Sequence, residues 1–210
     1  MARGRKKRYW IWFAAAGVVA LIAVAAAVAV WCGDDSPKRW FVNDRDYSAE
    51  IAAAAKRHGL DPALVRALVY QESRFRADKR GKKGEIGLMQ VLPSGAAAEW
   101  ARVKKRRRPS DGELFNVELN LEIGCWYLAR AMKRWKGYRH GTELALAEYN
   151  AGLSQVRKWA PENKNGEVIP RIKIASTKKY VTEITKRYRS YSKTTAGANG
   201  KSKSNRWGSD

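Results

Sequence analysis

The chain is poor in the residues that build disulfide frameworks and metal sites: its 210 residues include two cysteines and two histidines. Cys32 closes an apolar run and Cys125 falls in a predicted helix, so neither spacing suggests a disulfide or a metal site. Both read as free thiols, and Cys125 as a small buried core residue. His58, at a predicted helix end, has no His, Cys or carboxylate companion at ligand spacing and reads as structural. Acidic residues are scarce too, 20 Asp and Glu against 42 Lys and Arg. The net charge of +22 and pI near 10.3 call for an anionic partner, whether nucleic acid, anionic lipid or an acidic wall polymer. Strand-like alternation and internal repeats are also missing, which leaves an all-α assembly of short helices.

What is present begins with one long apolar run. A basic segment at residues 1–8 precedes an uncharged stretch, 9–33, long enough to cross a bilayer as a helix. Tyr9, Trp10, Trp12 and Trp31 stand at its ends, where interfacial aromatics belong, and the basic cluster puts the N-terminus in the cytoplasm. An Ala27-Val28-Ala29 site leaves open a cleaved signal peptide, but the run exceeds the usual apolar core of such a signal, which favours a retained anchor. Trp31 argues against lipid modification of Cys32. Residues 34–46 read as a linker, 47–191 as the folded domain, and 192–210, rich in Ser, Lys, Gly and Thr, as a disordered tail. The expected location is the cytoplasmic membrane, single-pass, with the domain on the periplasmic side. That is the wrong side for nucleic acid, and no nucleic-acid motif is present.

The domain is organised around Glu72. Asp61 is a good N-cap and Pro62 suits the first helical turn. Leu64, Ala67, Leu68, Gln71, Glu72 and Phe75 then share one otherwise apolar face. A carboxylate in that stripe should have its pKa raised by desolvation, as a proton donor near neutral pH requires. The alternative is a helix-end Glu paired with Arg74 or Arg76. Upstream, Ser48 is expected to cap a helix that Gly59 ends.

Downstream, a basic loop at 77–85 leads to Gly87-Leu88-Met89-Gln90, and Ser94 is a plausible cap for the Ala-rich helix carrying Trp100. Residues 102–108, nearly all Lys and Arg, read as a solvated loop or as a contact for an anionic polymer. Leu121, Gly124, Cys125, Leu128, Met132 and Trp135 predict a core helix over 116–135. Another begins at Thr142 and stops at Gly152, placing Tyr149 and Asn150 at its end, either packed in the core or lining a cleft. A last basic helix spans 175–191 and carries Tyr180, Val181 and Ile184.

The order Glu72-Ser73, Gly87-Leu88-Met89-Gln90, Asn120-Leu121-Glu122-Ile123-Gly124 and Glu148-Tyr149-Asn150-Ala151-Gly152 resembles the soluble lytic transglycosylase (SLT) domain. The resemblance covers about residues 47–191 and implies a lysozyme-like fold of the goose type. It implies cleavage of peptidoglycan between N-acetylmuramic acid and N-acetylglucosamine with a 1,6-anhydro-muramyl product, and it calls for no cofactor or metal. Glu72 takes the position of the single catalytic acid/base. Ser73 and Gln90 take positions that hold it and the substrate, Met89 that of a cleft residue, and Tyr149 and Asn150 those that contact the sugar acetamide. Thr177-Lys178-Lys179-Tyr180-Val181 is similar to a late family segment and makes Tyr180 a cleft residue. Glu167-Val168-Ile169-Pro170 resembles an upstream stretch of some members, which carries Glu167 over weakly. Glu148 and Glu85 depart from the small residues usual at their positions, and a second carboxylate there could raise the Glu72 pKa or serve a hydrolytic muramidase. A non-catalytic wall-binding protein is the remaining reading. The expected partners are peptidoglycan strands and the membrane, with the chain a monomer.

Overall fold

The computed structural model describes residues 47–204, so the basic segment, the apolar run 9–33, the linker 34–46 and the last six residues of the tail lie outside the described residues. Helix α1, Ser48–Arg57, starts after Tyr47 with no side-chain cap. Ser48 therefore opens the helix instead of capping it, and Glu50 supplies negative charge to the first turn. After His58, Gly59 turns the chain at φ +63°. Helix α2, Pro62–Ser73, begins as expected: the Asp61 side chain accepts the Ala63 N–H at 2.8 Å, and Pro62 occupies the first turn.

Helix α2 buries Leu64, Val65, Ala67, Leu68 and Val69 and then stops abruptly. Arg74 and Phe75 both adopt positive φ, 53° and 59°. Phe75 is thus not on the helix, contrary to the helical spacing. The left-handed pair turns the chain and drops the ring into the core, edge-on to Tyr70 at 5.9 Å between centroids. Such non-glycine conformations cost about 1–3 kcal/mol each and persist only where the surroundings enforce them. Here they immediately follow Glu72 and Ser73.

A π-helical turn, Pro93–Ala97, runs into helix α3, Ala98–Val103. Leu92 precedes that turn with no side-chain cap, so Ser94 lies within it and does not cap it. Helix α4, Val117–Arg134, is capped by Asn116, whose Oδ1 accepts the Leu119 N–H at 2.9 Å. Its Leu121, Ile123, Cys125 and Leu128 are fully buried. Helix α5, Gly141–Ala151, ends where Gly152 takes φ +80°, and α6 follows at Leu153–Trp159. Helix α7, Ala175–Ser204, continues beyond Tyr191 into the stretch expected to be disordered. A nucleated helix can propagate one hydrogen bond per residue without a new apolar face, which composition alone does not register. Helix α7 packs on α2 and α5, while α4 packs on α1 and α5. Among the described residues β pairing is limited to two isolated bridges, Arg80 with Ile86 and Ile86 with Val91. The domain is all-α.

One buried side chain on α4 fixes the 86–90 loop. Asn120 donates from Nδ2 to the carbonyls of Ile86 and Leu114, both at 2.8 Å, and its Oδ1 accepts the Met89 N–H at 2.8 Å. Gly87, at φ +77°, allows this approach, since a Cβ there would stand 2.4 Å from Asn120 Nδ2. One turn along α4, a Cβ on Gly124 would meet Met89 Sδ at 2.4 Å. The two short motifs are thus two sides of one packed joint. Asn120→Ala strands two carbonyls and one N–H in the core, at about 1–3 kcal/mol for each group left unsatisfied. We expect a loss of about 3 kcal/mol and a Tm lower by roughly 6–12 °C in thermal unfolding followed by circular dichroism. An unchanged Tm would refute the clamp.

Candidate active site

Glu72, in the last turn of α2, lines an open cleft of about 640 Å³. One wall is the end of α5, with Tyr149 and Asn150, and the first turns of α7, with Tyr180. The loop carrying Lys79, Glu85 and Gln90 forms the other. The Tyr180 hydroxyl donates to Glu72 Oε1 at 2.5 Å, and Lys79 Nζ donates to the Glu72 backbone carbonyl. Burial pushes the Glu72 carboxyl up to about 7. The Tyr180 hydrogen bond and the Lys79 charge oppose that rise, and the Glu85 carboxylate adds to it. Pairing with the neighbouring arginines does not occur: Arg74 donates to the Tyr70 hydroxyl at 2.6 Å, and Arg76 lies 3.5 Å from Asp78.

The two cleft tyrosines stay protonated. Burial, then the nearby Glu72 charge, raises both phenols well above their ordinary value. Tyr149 donates its hydroxyl proton to the Met89 carbonyl at 2.9 Å and sets its ring edge-on to Tyr127. Asn150 accepts from the Thr177 hydroxyl at 2.7 Å through Oδ1, which orients its amide. Gln90, in the left-handed region at φ 47°, donates from Nε2 to the carbonyls of Gly87 and Lys79 at 2.9 and 3.2 Å.

Three of the eight residues singled out from the sequence for the site do not bring their side chains to the cleft: Ser73, Met89 and Glu167. Ser73 is buried behind the cleft, its Oγ donating to the Val69 carbonyl at 3.2 Å. The Met89 side chain is buried under the cleft floor against Gly124, and it is its carbonyl that serves Tyr149. Glu167 is not brought to the cleft; its exposed carboxylate lies 3.3 Å from His140 Nε2. Glu148 also faces away, in an ion pair with Arg134 and accepting the Trp135 indole N–H at 2.7 Å. Of the two extra carboxylates, Glu85 alone lines the cleft. Sequence reasoning gave no role to Lys79, nor to Thr177 and Asn120, although these two open motifs that carry the resemblance. The legible signal was Asn120, a polar residue inside a run of core positions, which needs buried partners. Cys125, beneath Met89, has its thiol pushed up to about 12 by burial and is inert.

Residues 49–172 match the family model of the transglycosylase SLT domain. The chain is 29% identical over 163 residues to the membrane-bound lytic murein transglycosylase E of Buchnera aphidicola, spanning 72% of this chain and 73% of that protein. It is 35% identical over 118 residues to the membrane-bound lytic murein transglycosylase F of Desulfosudis oleivorans, spanning 55% of this chain and 24% of the relative. Its fold matches that of an inactive mutant of the lytic transglycosylase Slt from Pseudomonas aeruginosa with a TM-score of 0.63 at 28% identity. That match covers 72% of this chain and 24% of the solved one, so the chain spans about a quarter of that larger protein. A second solved match, the 70-kDa soluble lytic transglycosylase in complex with bulgecin A, gives a TM-score of 0.62 at 25% identity, over 72% of this chain and 25% of that one. The fold is accordingly lysozyme-like, and because the family model spans more than half of its length, this chain belongs to the transglycosylase SLT domain family.

Proposed function

We propose that this chain is a peptidoglycan lytic transglycosylase in which Glu72 serves in turn as acid and base. The observation that carries the reading is a carboxyl inside an open cleft with Tyr180 donating to one of its oxygens, its pKa raised by burial to about 7 so that both the acid and the base form are available near neutral pH. Because Oε1 accepts from Tyr180, the acidic proton resides on Oε2 and goes to the glycosidic oxygen, which leaves as the 4-hydroxyl of N-acetylglucosamine. The substrate acetamide supports the developing positive charge at the muramyl anomeric carbon, as in substrate-assisted glycosidases. Asn150 offers its Nδ2 hydrogens to the acetamide carbonyl. Tyr149, whose proton is committed to Met89, offers a lone pair to the acetamide N–H. Glu72, now ionised and stabilised by Tyr180 and Lys79, removes the muramyl 6-hydroxyl proton as that oxygen attacks the anomeric carbon. The carboxyl is thereby reprotonated and the 1,6-anhydro ring closed. Gln90 shapes the wall opposite, and Ser73 holds the last turn of α2.

The run 9–33 fits a single-pass anchor that leaves the domain, a monomer, on the extracytoplasmic side. Support comes from its charge pattern and from relatives whose names describe them as membrane-bound. Among the described residues no helix is long and apolar enough to cross a membrane. One observation favours a second reading: Glu85 lines the same cleft and its charge reaches Glu72, so it is placed to activate water in a hydrolytic muramidase.

Digestion of purified peptidoglycan should release muropeptides whose ends are lighter by one water than reducing ends, as read by mass spectrometry. Reducing ends would instead establish hydrolysis. Glu72→Gln should lower cleavage by about 10²–10⁴-fold, the range for loss of a general acid. Undiminished cleavage would sink the assignment of Glu72.

The pH dependence follows from the raised carboxyl. Protonation of the leaving oxygen requires neutral Glu72, so kcat/KM should fall as pH rises through about 7. For stability, a folded-state pKa above the ordinary 4.5 means that the contribution is full below that value and is lost as pH rises through about 7. Glu72→Gln should therefore match the parent near pH 4 and exceed it near pH 8, by up to about 3 kcal/mol. A Glu72→Gln protein no more stable than its parent at the higher pH would contradict the buried neutral carboxyl.

A further inference from the structure

A second groove, of about 520 Å³, lies on helix α7 and shares no lining residue with the Glu72 cleft. It is lined by the exposed Lys186, Arg189 and Lys193, which share one face of the helix, and by Ile169, Thr182 and Thr185. Arg189 stands nine residues after Tyr180, about two and a half helical turns. The groove therefore opens on the side of α7 opposite to the one that reaches Glu72.

Among the described residues none of the three cations has a hydrogen bond or an ion pair. No carboxylate lines the groove, and between residues 175 and 193 helix α7 carries one acidic residue, Glu183, against six basic ones. Thr182 is satisfied, its hydroxyl donating to the Lys178 carbonyl at 2.9 Å. Thr185 is only 8% exposed, and its buried hydroxyl has no hydrogen-bond partner. Buried hydroxyls are rarely left that way. A helical threonine divides between two χ1 rotamers, so this one can turn its hydroxyl toward an acceptor seated in the groove.

Three unpaired cations and a hydroxyl call for an oxyanion, and the neighbouring apolar surface identifies its carrier. Ile169 lines the groove itself. Ile174, an exposed apolar side chain, opens the ridge Ile174, Lys178, Thr182 and Lys186 at steps of four along the helix. Exposed isoleucine beside cations with long alkyl stems gains nothing from a hydrated wall polymer. It suits the boundary between lipid headgroups and acyl chains. We propose that this face of α7 docks on a bilayer, with the phosphate of an anionic phospholipid headgroup in the groove. Docked in this way, the domain turns the Glu72 cleft away from the lipid. The inference concerns a different surface from the transglycosylase reading and does not depend on turnover.

The test is lysine acetylation of the full chain in nanodiscs, either of phosphatidylcholine alone or with added phosphatidylglycerol, read residue by residue by mass spectrometry. Cations at an anionic surface contribute about five-fold each, so three bias docking by about 100-fold. Lys186 and Lys193 should therefore label at least about ten-fold more slowly in the anionic discs. Lys82 and Lys83, exposed beside the cleft, should keep their rates. Arg189→Gln removes one cation without touching a labelled residue and should restore reactivity by about five-fold. Salt at about 0.5 M should restore most of it, because the screening length is then a few ångströms. Equal rates in the two discs, slowing of Lys82 and Lys83 as large as that of Lys186 and Lys193, or protection indifferent to Arg189→Gln would overturn the proposal. Protection of Lys186 and Lys193 by purified peptidoglycan sacculi but not by anionic discs would overturn it in favour of a wall polymer. Full protection by inorganic phosphate in phosphatidylcholine discs would overturn it in favour of a free ion.

Discussion

A carboxyl group that is to remain protonated near pH 7 must be shielded from water, yet one that is to accept a proton back must not be stranded when it ionises. Glu72 meets both demands through its bond from Tyr180, which joins side chains 108 residues apart in sequence. Burial favours the neutral acid, and the Tyr180 hydroxyl offers a hydrogen bond that strengthens when the acid loses its proton. The docking of α7 on α2 is thus coupled to the chemistry. Without α7, Glu72 would face solvent and revert towards an ordinary carboxylate.

Around that bond the fold places its irregular backbone where rigidity is most useful. Of the four non-glycine residues at positive φ among the described ones, Arg74, Phe75 and Gln90 border the elements that hold Glu72 or the loop facing it, and Lys105 lies in the basic loop after α3. Strain of this kind survives only under constraint, and the constraints are identifiable. Phe75 is fixed by core packing, and the loop before Gln90 by the three hydrogen bonds of Asn120. Tyr149 then connects the loop to α5 through the Met89 carbonyl. Helices α2, α4, α5 and α7 therefore reach the cleft through specific polar contacts as well as through apolar packing.

Much of this was legible in the sequence, for reasons tied to local rules. The Asp61 cap, the stop at Gly152 and the core face of α4 follow from short-range chemistry that tertiary structure did not override. Glu72 was legible as a carboxylate in an apolar stripe, and Tyr180 came from the resemblance. The misses share a cause. Phe75 continued the helical spacing, but spacing cannot reveal a left-handed turn at non-glycine residues. Glu148 and Glu167 were adjacent to meaningful motifs, yet adjacency in sequence does not fix direction. A helical neighbour of Tyr149 points about 100° away, here into Arg134 and Trp135. Lys79 was hidden in a basic loop where nothing local distinguishes it from Lys82 or Lys83.

The direction of the Glu72 shift also bears on how the large positive charge acts. A chain of net charge +22 should, on average, favour ionised carboxylates and lower their pKa values. Glu113 follows that expectation, its carboxyl held well below the usual range by Arg107 and by its bonds from Ser110. Glu72 moves the opposite way although Lys79 lies beside it. Local desolvation therefore outweighs the summed field, as expected when most of the cations are exposed and screened over roughly 8 Å in physiological salt. The same screening assigns the charges their place in the enzyme. Beyond direct contact they leave the acid chemistry of Glu72 untouched, and their influence falls on what approaches the surface. The ionisation of the carboxyl proposed as catalytic is thus set by its immediate surroundings, Lys79 and Glu85 of the facing loop included, and not by the summed charge of the chain.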